Sequence, residues 1–271
     1  MKNKIIIAIS SIIVFTLFFI YFSNRLNNKR ITKELSALQA SAYVLNDVEV
    51  YQLDEIPKLS KNYILFSLNK KINIQRMAEF SYKKKLTNKN NIDLYEGKTY
   101  LGIYKPCILS VEEKNIFPLL WKNNREFYIE GSGNILTKFI SIITTNSKKG
   151  AEANLTCFVK YILSIPYVPF VLYNKSLITY ISGDSNYIIV AFKDNNFIIN
   201  CKIIFDNDKI IEISYFDDNK TNAGITFSAK YTDYKEINSA IIPKTNSIEI
   251  YMDDKLFEQY TTEIEDYSFT K

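Results

Sequence analysis

The sequence predicts a β-rich α+β fold: a curved antiparallel sheet, half-barrel or barrel-like, that packs on one or two helices after an N-terminal transmembrane helix. Three observations support this prediction. An uncharged apolar stretch opens the chain, and β-branched and aromatic segments at a spacing of about ten residues close it. Asn- and Asp-rich turns separate these segments. A long meander must bury its apolar face by curling around helices or by closing into a barrel.

The opening stretch, Ile5–Phe22, contains no charged residue. As a helix it would span about 27 Å at about 1.5 Å per residue, which suits a hydrocarbon core of about 30 Å. We therefore predict a transmembrane anchor over residues 1–24, with the lipid bilayer as its partner. The stretch ends without the small residues of a signal-peptidase site, which favours an uncleaved, single-pass anchor. The count of basic residues, with Arg25, Lys29, Arg30 and Lys33 after the stretch, favours a cytoplasmic domain. The short basic leader of Lys2 and Lys4 resembles a signal n-region, and we predict an extracytoplasmic domain on that ground.

The net charge of +5 is concentrated at the flanks of this stretch. Residues 1–33 contain six basic side chains and no acidic one, and the remaining residues carry 28 basic and 29 acidic side chains. The main domain therefore lacks the basic surface of a nucleic-acid-binding protein, and we predict no nucleic-acid partner.

The sequence contains no histidine, which excludes imidazole metal ligands and Ser-His or Cys-His catalysis. Its three cysteines are far apart and form no CxxC motif, so they suggest neither a zinc site nor a disulfide framework. We read them as buried small hydrophobes, and we predict no metal and no cofactor.

Residues 25–60 are predicted as a helical connector and 61–271 as one β-rich domain. Apolar residues at three- and four-residue spacings predict a helix over Arg30–Asn46. Pro57 ends this connector, and the run Tyr63–Leu68 then predicts the first strand.

Ile92–Tyr104 is predicted as a hairpin that turns at Glu96 and Gly97. Pro106–Glu112 and Glu126–Glu130 are predicted as strands, the second ending at a Gly-Ser-Gly turn. Periodicity does not assign Ile135–Thr145, which is rich in Ile and Thr. Gly150 opens a predicted helix to about Ile165, where Pro166 stops it.

After Pro169, successive strands joined by short Asn/Asp turns predict an antiparallel meander. The predicted strands are Leu177–Ile181, Tyr187–Phe192, Phe197–Phe205, Ile210–Phe216, Ile225–Tyr234, Ile248–Met252 and Phe257–Ile264.

Two stretches contain residue types that could form a site. Glu126, Tyr128 and Glu130 lie on one face of a predicted strand, but the two carboxylates are about 13 Å apart. That distance exceeds a glycosidase pair unless the chain bends, and an exposed polar face is the alternative reading. Lys160 and Tyr161 lie beside the apolar stripe of the predicted helix, where a tyrosine is commonly part of the core.

Two segments resemble a known pattern. NREFYIEGSGNILTKFISII (124–143) resembles an acid, an aromatic residue and an acidic G-x-G turn before an apolar run. YTDYKEINSAIIPKTNSIEIYM (231–252) with EQYTTEIEDYSF (258–269) resembles a closing pattern of an Asp-Tyr pair, a turn, x-I-P and two strands. Over about residues 76–270 the chain resembles an uncharacterised bacterial domain-of-unknown-function family. The closing pattern also resembles the LolA/LolB lipoprotein carriers, which implies a curved sheet that wraps helices and holds acyl chains.

Between the two segments, KYILSIPYVPFVLY (160–173) stands where the family pattern has a basic-tyrosine pair and an aromatic-x-proline. By position in these patterns, eight residues are candidates for ligand binding, and no catalytic residue is assigned. They are Glu126, Tyr128, Glu130, Lys160, Tyr161, Asp233, Tyr234 and Asp266. The chain departs from the family pattern at several positions. Ser164 replaces the helix glutamate, Tyr167 a tryptophan, Ser239 the hairpin glycine and Lys160 an arginine. If the glutamate were catalytic in the family, this member would be inactive.

We therefore predict a membrane-anchored binding or structural module of the cell envelope that holds a lipid or another apolar ligand. Inward Ile, Phe and Tyr side chains of a curved sheet would supply a concave apolar surface. A core without a cavity is the simpler alternative. A carboxylate-dependent hydrolase is the competing class, but it would need an acid of raised pKa that the sequence does not mark.

Overall fold

The computed structural model describes residues 2–43, 49–52, 54–69, 76–88, 91–117, 120–195, 197–216 and 224–270. Within these ranges the α-helices are α1 (Lys2–Tyr43), α2 (Lys58–Ser67) and α3 (Ala151–Ile162), and two 3₁₀ turns cover Ile165–Tyr167 and Pro169–Tyr173. The strands are β1 (Met77–Asn88), β2 (Asn91–Gly102), β3 (Ile108–Phe117), β4 (Leu120–Ile129), β5 (Ser132–Phe139), β6 (Ile143–Lys149), β7 (Ile178–Gly183), β8 (Tyr187–Asp194), β9 (Phe197–Asp206), β10 (Lys209–Tyr215), β11 (Ile225–Ile237), β12 (Ala240–Met252) and β13 (Lys255–Thr270).

Helix α1 is continuous from the apolar stretch into the sheet. It confirms the predicted helix from Arg30 to Tyr43, and the last three predicted residues lie outside the described ranges. Among the described residues, α1 is the one helix long and apolar enough to cross a membrane. Its second half packs on the outer face of the sheet, where Leu38 and Ala42 join a small core.

The thirteen strands form one antiparallel sheet, as predicted. From one edge to the other, the strand order is β6-β5-β4-β3-β2-β1-β13-β12-β11-β10-β9-β8-β7. Two meanders, β1–β6 and β7–β13, are joined where β1 pairs with β13. The described strands do not close into a barrel, because β6 and β7 remain as edges. The sheet curves strongly enough for the β8–β9 turn to reach β4, where the Tyr128 hydroxyl contacts the Asp194 carboxylate.

Residues 150–177, here called the crossing segment, join the two edge strands and pass across the inner face of the sheet. The segment contains α3 and both 3₁₀ turns, and most of its side chains are buried. Helix ends leave carbonyl groups without helical partners, and tyrosine hydroxyls donate to several of them here. These hydrogen bonds are Tyr63 to Pro166 O (2.8 Å), Tyr231 to Leu163 O (2.6 Å), Tyr267 to Tyr167 O (2.5 Å) and Tyr180 to Leu172 O (2.7 Å).

Two local predictions are wrong. The run Tyr63–Leu68 lies in α2 and its C-cap rather than in a strand, because Tyr63 and Ile64 bury one helical face in the core. A short apolar run does not distinguish a helix from a strand by periodicity alone. Ile92–Tyr104 contains no hairpin turn, since Gly97 lies inside the single strand β2. Gly97 is needed there because a Cβ atom would overlap the buried Tyr82 ring.

The other elements agree closely with the predictions made from the sequence. The unassigned stretch Ile135–Thr145 contains the end of β5, a turn with positive φ at Ile140 and Ser141, and the start of β6. The predicted helix after Gly150 is α3, and each predicted strand of the closing meander has its counterpart in β7–β13. The connector predicted at Asp217–Asn219, between the fourth and fifth strands of the closing meander, lies outside the described residues. All three cysteines are free and buried. The division of the chain at residues 24 and 60 stays a prediction.

Candidate functional site

Five charged side chains meet inside the sheet, and we call them the ionic cluster. Lys84, Glu112, Glu126 and Glu258 come from β1, β3, β4 and β13, and Lys160 comes from α3. Alternation along each strand turns these side chains inward, so their exposed fractions are only 4–14%.

Glu258 connects the two lysines of the cluster. Its Oε1 lies 2.9 Å from Lys84 Nζ, and its Oε2 lies 2.7 Å from Lys160 Nζ. Each lysine has a second carboxylate partner, with Lys84 Nζ 3.0 Å from Glu112 Oε1 and Lys160 Nζ 2.6 Å from Glu126 Oε1. The cluster is therefore one connected network, in which Glu258 is the shared acid.

The three acids differ in the charge that surrounds them. Burial opposes the ionisation of Glu258, but Lys160 and Lys84 overcome it and lower the pKa of Glu258 to about 2. Burial raises the pKa of Glu126 and repulsion by Glu258 adds to this effect, while Lys160 lowers the pKa without overcoming them. Burial also acts against the charge of Lys84, yet the carboxylates raise the pKa of Lys84 well above its usual value.

With every group ionised, the cluster would hold two positive and three negative charges. A buried uncompensated charge is costly, so a proton on one acid stabilises the cluster. Burial and repulsion by Glu258 raise the pKa of Glu126, which makes Glu126 more readily protonated than Glu258.

A cavity of about 50 Å³ adjoins the cluster. Lys84, Glu112, Glu126 and Lys160 form its polar side, and its apolar side is formed by Phe80, Ile108, Leu163, Ile248 and the ring of Tyr260. The Lys84 ammonium lies 4.1 Å from the centroid of that ring, in the position of a cation–π contact. The space suits about one or two water molecules.

The arrangement offers an acid of raised pKa, two ammonium groups and apolar walls in one place. It can therefore hold water or the polar end of an amphipathic molecule. Among the described residues, no group of three or more Cys, Asp or Glu side chains is arranged to hold a metal ion.

The structure brings together only part of the predicted set. Glu126 and Lys160 meet in the cluster, whereas Tyr161 is fully buried and donates to Gly102 O at 2.9 Å. Tyr128 is also fully buried and bonds to Asp194. Glu130 is not on the strand face with Glu126, because it has φ +49° in the turn that follows β4.

The remaining predicted residues lie on the other meander. Asp233 pairs with Lys235 at 3.1 Å, and the Tyr234 hydroxyl donates to Ile210 O at 2.6 Å. Asp266 is exposed and accepts a hydrogen bond from Asn238 at 3.2 Å. The eight residues thus form no single site, and their role in ligand binding stays a prediction.

Sequence reasoning missed Lys84, Glu112 and Glu258. A signal for Lys84 was present, because the alternating positions Phe80, Tyr82, Lys84 and Leu86 place it on the apolar face of its strand. Its exposed neighbours, Lys83 and Lys85, conceal this signal by making the segment look like a uniformly solvated basic run.

A model of the Family of unknown function (DUF6920) matches residues 54–269, and the chain belongs to that family. The predicted resemblance to an uncharacterised family is thereby confirmed. No curated protein matches the sequence.

Three solved structures are similar in fold. A DUF1329 family protein from Desulfovibrio piger ATCC 29098 is 7% identical over 78% of this chain and 92% of that chain, with a TM-score of 0.45. A putative outer membrane lipoprotein-sorting protein domain from Vibrio parahaemolyticus is 6% identical over 81% and 94%, with a TM-score of 0.45. A LolA superfamily protein from Nitrosomonas europaea is 8% identical over 79% and 92%, with a TM-score of 0.42.

These neighbours include the superfamily that the closing strands resemble.

Proposed function

We propose that this protein is a single-pass, membrane-anchored binding module of the cell envelope that takes an amphipathic ligand with an apolar chain. The observation that carries the proposal is the continuity of α1. One helix begins with an exposed apolar half and ends with a half that is fixed to the sheet.

The apolar half of α1 needs an apolar environment. Its described side chains from Ile5 to Phe22 are nearly all exposed, and none of its most apolar window is buried by the rest of the chain. Burial of apolar surface is worth about 25 cal/mol per Å², so a bilayer is strongly favoured over water. The ion pair between the largely buried Arg125 Nε and the partly exposed Glu34 Oε2, 3.1 Å apart, then holds the sheet against the same helix.

The lining of the inner cavity supports an amphipathic ligand. Charged groups on one side could receive a polar head, and the apolar side continues into the main core. A cavity of about 50 Å³ is far smaller than the roughly 300–1,000 Å³ of ordinary ligand sites, so an acyl chain requires the crossing segment to move. The covalent connections of the crossing segment are at β6 and β7, the two edges of the sheet, so its movement would break side-chain contacts but no strand pairing within the sheet.

A carboxylate-dependent hydrolase is the second candidate. One observation favours it: Glu126 has a raised pKa and lines a cavity. Its carboxylate is nevertheless engaged by Lys160 at 2.6 Å, and a cavity of about 50 Å³ has no room for both a substrate and the water that would hydrolyse it. Binding therefore accounts for more of the geometry than hydrolysis does.

Two measurements on the full-length protein test the two parts of the proposal. The protein should stay with the membrane pellet after alkaline carbonate extraction, and release into the supernatant would refute the anchor. Native mass spectrometry of gently extracted protein should detect a bound lipid.

A matched pair of variants locates that lipid. Ser164→Leu narrows the cavity and should reduce lipid occupancy, whereas Ser185→Leu, in an exposed turn, should leave it unchanged. Absence of lipid from the wild-type protein, or equal occupancy in both variants, would refute the inner ligand site.

A further inference from the structure

The hairpins β3–β4 and β5–β6 expose apolar side chains at the end of the sheet where α1 leaves it. Phe117 is 70% exposed, Ile143 54%, Ile116 45% and Leu120 36%. We call these four residues the hairpin patch. Large apolar side chains grouped at one end of a sheet call for a partner surface.

Hydrogen bonds fix the level of this patch relative to α1. Ser141 Oγ, in the β5–β6 turn, lies 3.0 Å from Asn24 Oδ1 of α1 and 3.1 Å from Trp121 Nε1 of β4. Asn24 follows the last apolar residue, Phe22, by two positions, or about 3 Å along the helix axis.

The patch lies slightly beyond that level. Leu120 precedes Trp121 in β4 and therefore lies about 3.3 Å further along the strand, on the side away from the rest of the sheet. It is paired with Phe117 across the hairpin. Ile143 opens β6 two residues after Ser141. The apolar half of α1 and the patch are therefore side by side, at the same end of the molecule.

We propose that the hairpin patch enters the interface of the bilayer that α1 spans, as a second membrane contact of the sheet. This inference rests on the proposed membrane anchor. The occupant is the bilayer because the patch continues the exposed apolar surface of Ile5–Phe22 without a change of level. Arg25 and Lys29, exposed on α1 just past the apolar stretch, would meet anionic headgroups at that level.

Two membrane contacts would restrict the orientation of the sheet more than one transmembrane helix does. With a single helix as its contact, the sheet can change its angle to the bilayer normal as α1 tilts. A second contact through the hairpins would fix that angle. The inner face of the sheet would then keep one orientation relative to the membrane surface.

The test uses full-length protein labelled with an environment-sensitive fluorophore at one introduced cysteine. Cys107, Cys157 and Cys201 are fully buried, so the folded protein offers no competing thiol. The probe positions are Phe117→Cys and Ile143→Cys. Ile198→Cys is the matched control, because Ile198 is 52% exposed but lies far from the hairpin patch. Its neighbour Phe197 stacks on Phe158, which in turn stacks on Tyr128 at the opposite end of β4 from Leu120.

The labelled proteins are reconstituted into vesicles of phosphatidylcholine and phosphatidylglycerol, with and without lipids that carry a quencher near the headgroup. We expect emission from positions 117 and 143 to shift to shorter wavelength and to lose intensity with quencher lipids, and emission from position 198 to do neither.

Each other outcome refutes a defined claim. Equal, water-like emission from positions 117 and 198 in carbonate-resistant protein would overturn the second contact and leave the anchor intact. A shift without lipid quenching would indicate a protein partner, such as a second copy of the chain, and would also overturn it. Carbonate release of the protein would refute the anchor itself.

Discussion

Replacing Glu258 by glutamine tests whether the ionic cluster stabilises the fold through one shared acid. The pKa of Glu258 is lowered from 4.5 to about 2, and its side chain is 14% exposed. At about 1.4 kcal/mol for each pKa unit, this difference corresponds to about 3 kcal/mol of folding free energy at neutral pH. Glu258→Gln should therefore lower the free energy of unfolding by about that amount.

The pH dependence has a definite sign. A carboxyl group whose pKa is lowered by folding stabilises the native state above its unfolded pKa, and this stabilisation is lost as the pH falls through the folded pKa. The deficit of Glu258→Gln should therefore be complete at pH 7 and should shrink towards zero between about pH 5 and pH 2.

Urea denaturation followed by tryptophan fluorescence measures this deficit. Trp121 is the one tryptophan of the chain and is 8% exposed, so its emission reports the unfolding of the sheet. The measurement gives the free energy of unfolding in water by linear extrapolation.

Glu126→Gln is the matched control, because it neutralises the acid whose pKa burial raises. The amide oxygen still accepts from Lys160, so we expect a change within about 1 kcal/mol. In the Glu258→Gln background the same substitution should cost about 3–5 kcal/mol, since it leaves Lys160 buried without a carboxylate. Equal losses for the two single variants, additive effects in the double variant or a deficit independent of pH would each refute the shared-acid model.

Three further predictions concern a close packing contact, a hydrogen bond and an ion pair. Gly97→Ala sets a methyl group against the Tyr82 ring and should lower the free energy of unfolding by about 1–3 kcal/mol in the same urea assay; an unchanged midpoint would contradict the close approach. Tyr231→Phe leaves the Leu163 carbonyl without its donor and should cost about 1–3 kcal/mol, so a loss below 0.5 kcal/mol, roughly that of a surface substitution, would argue against this bond. Arg125→Met breaks the pair with α1 and should speed amide hydrogen exchange in residues 23–42, with β7–β13 as the internal reference; equal exchange in both proteins would exclude a holding role.

The closing meander was predictable because its information is local. Each strand there is bounded by Asn or Asp residues, several of which adopt positive φ, as at Asn207 and Asp253. Positive φ is tolerated by Asn and Asp better than by most other residues, so the turns can be identified from composition. Helix α2 was not predictable in this way, because its run from Tyr63 is too short to show a period.

The candidate site was only half visible to sequence reasoning. Glu126 and Lys160 were identified by their place in a pattern, but the shared acid, Glu258, lies 174 residues from Lys84. Alternation in β13 places Glu258 on the face of the buried Tyr260 and Ile264, but its two lysine partners lie on distant elements that no local pattern identifies.

By itself, the sequence determined the apolar stretch, the antiparallel strand content and the turns of the closing meander, because hydrophobic period and turn chemistry act over a few residues. The tertiary structure alone decided that β1 pairs with β13, that the crossing segment fills the inner face, and that five charges meet beside it. These features depend on which distant strands bury their faces together, and the free energy of that choice belongs to the whole sheet rather than to any one segment.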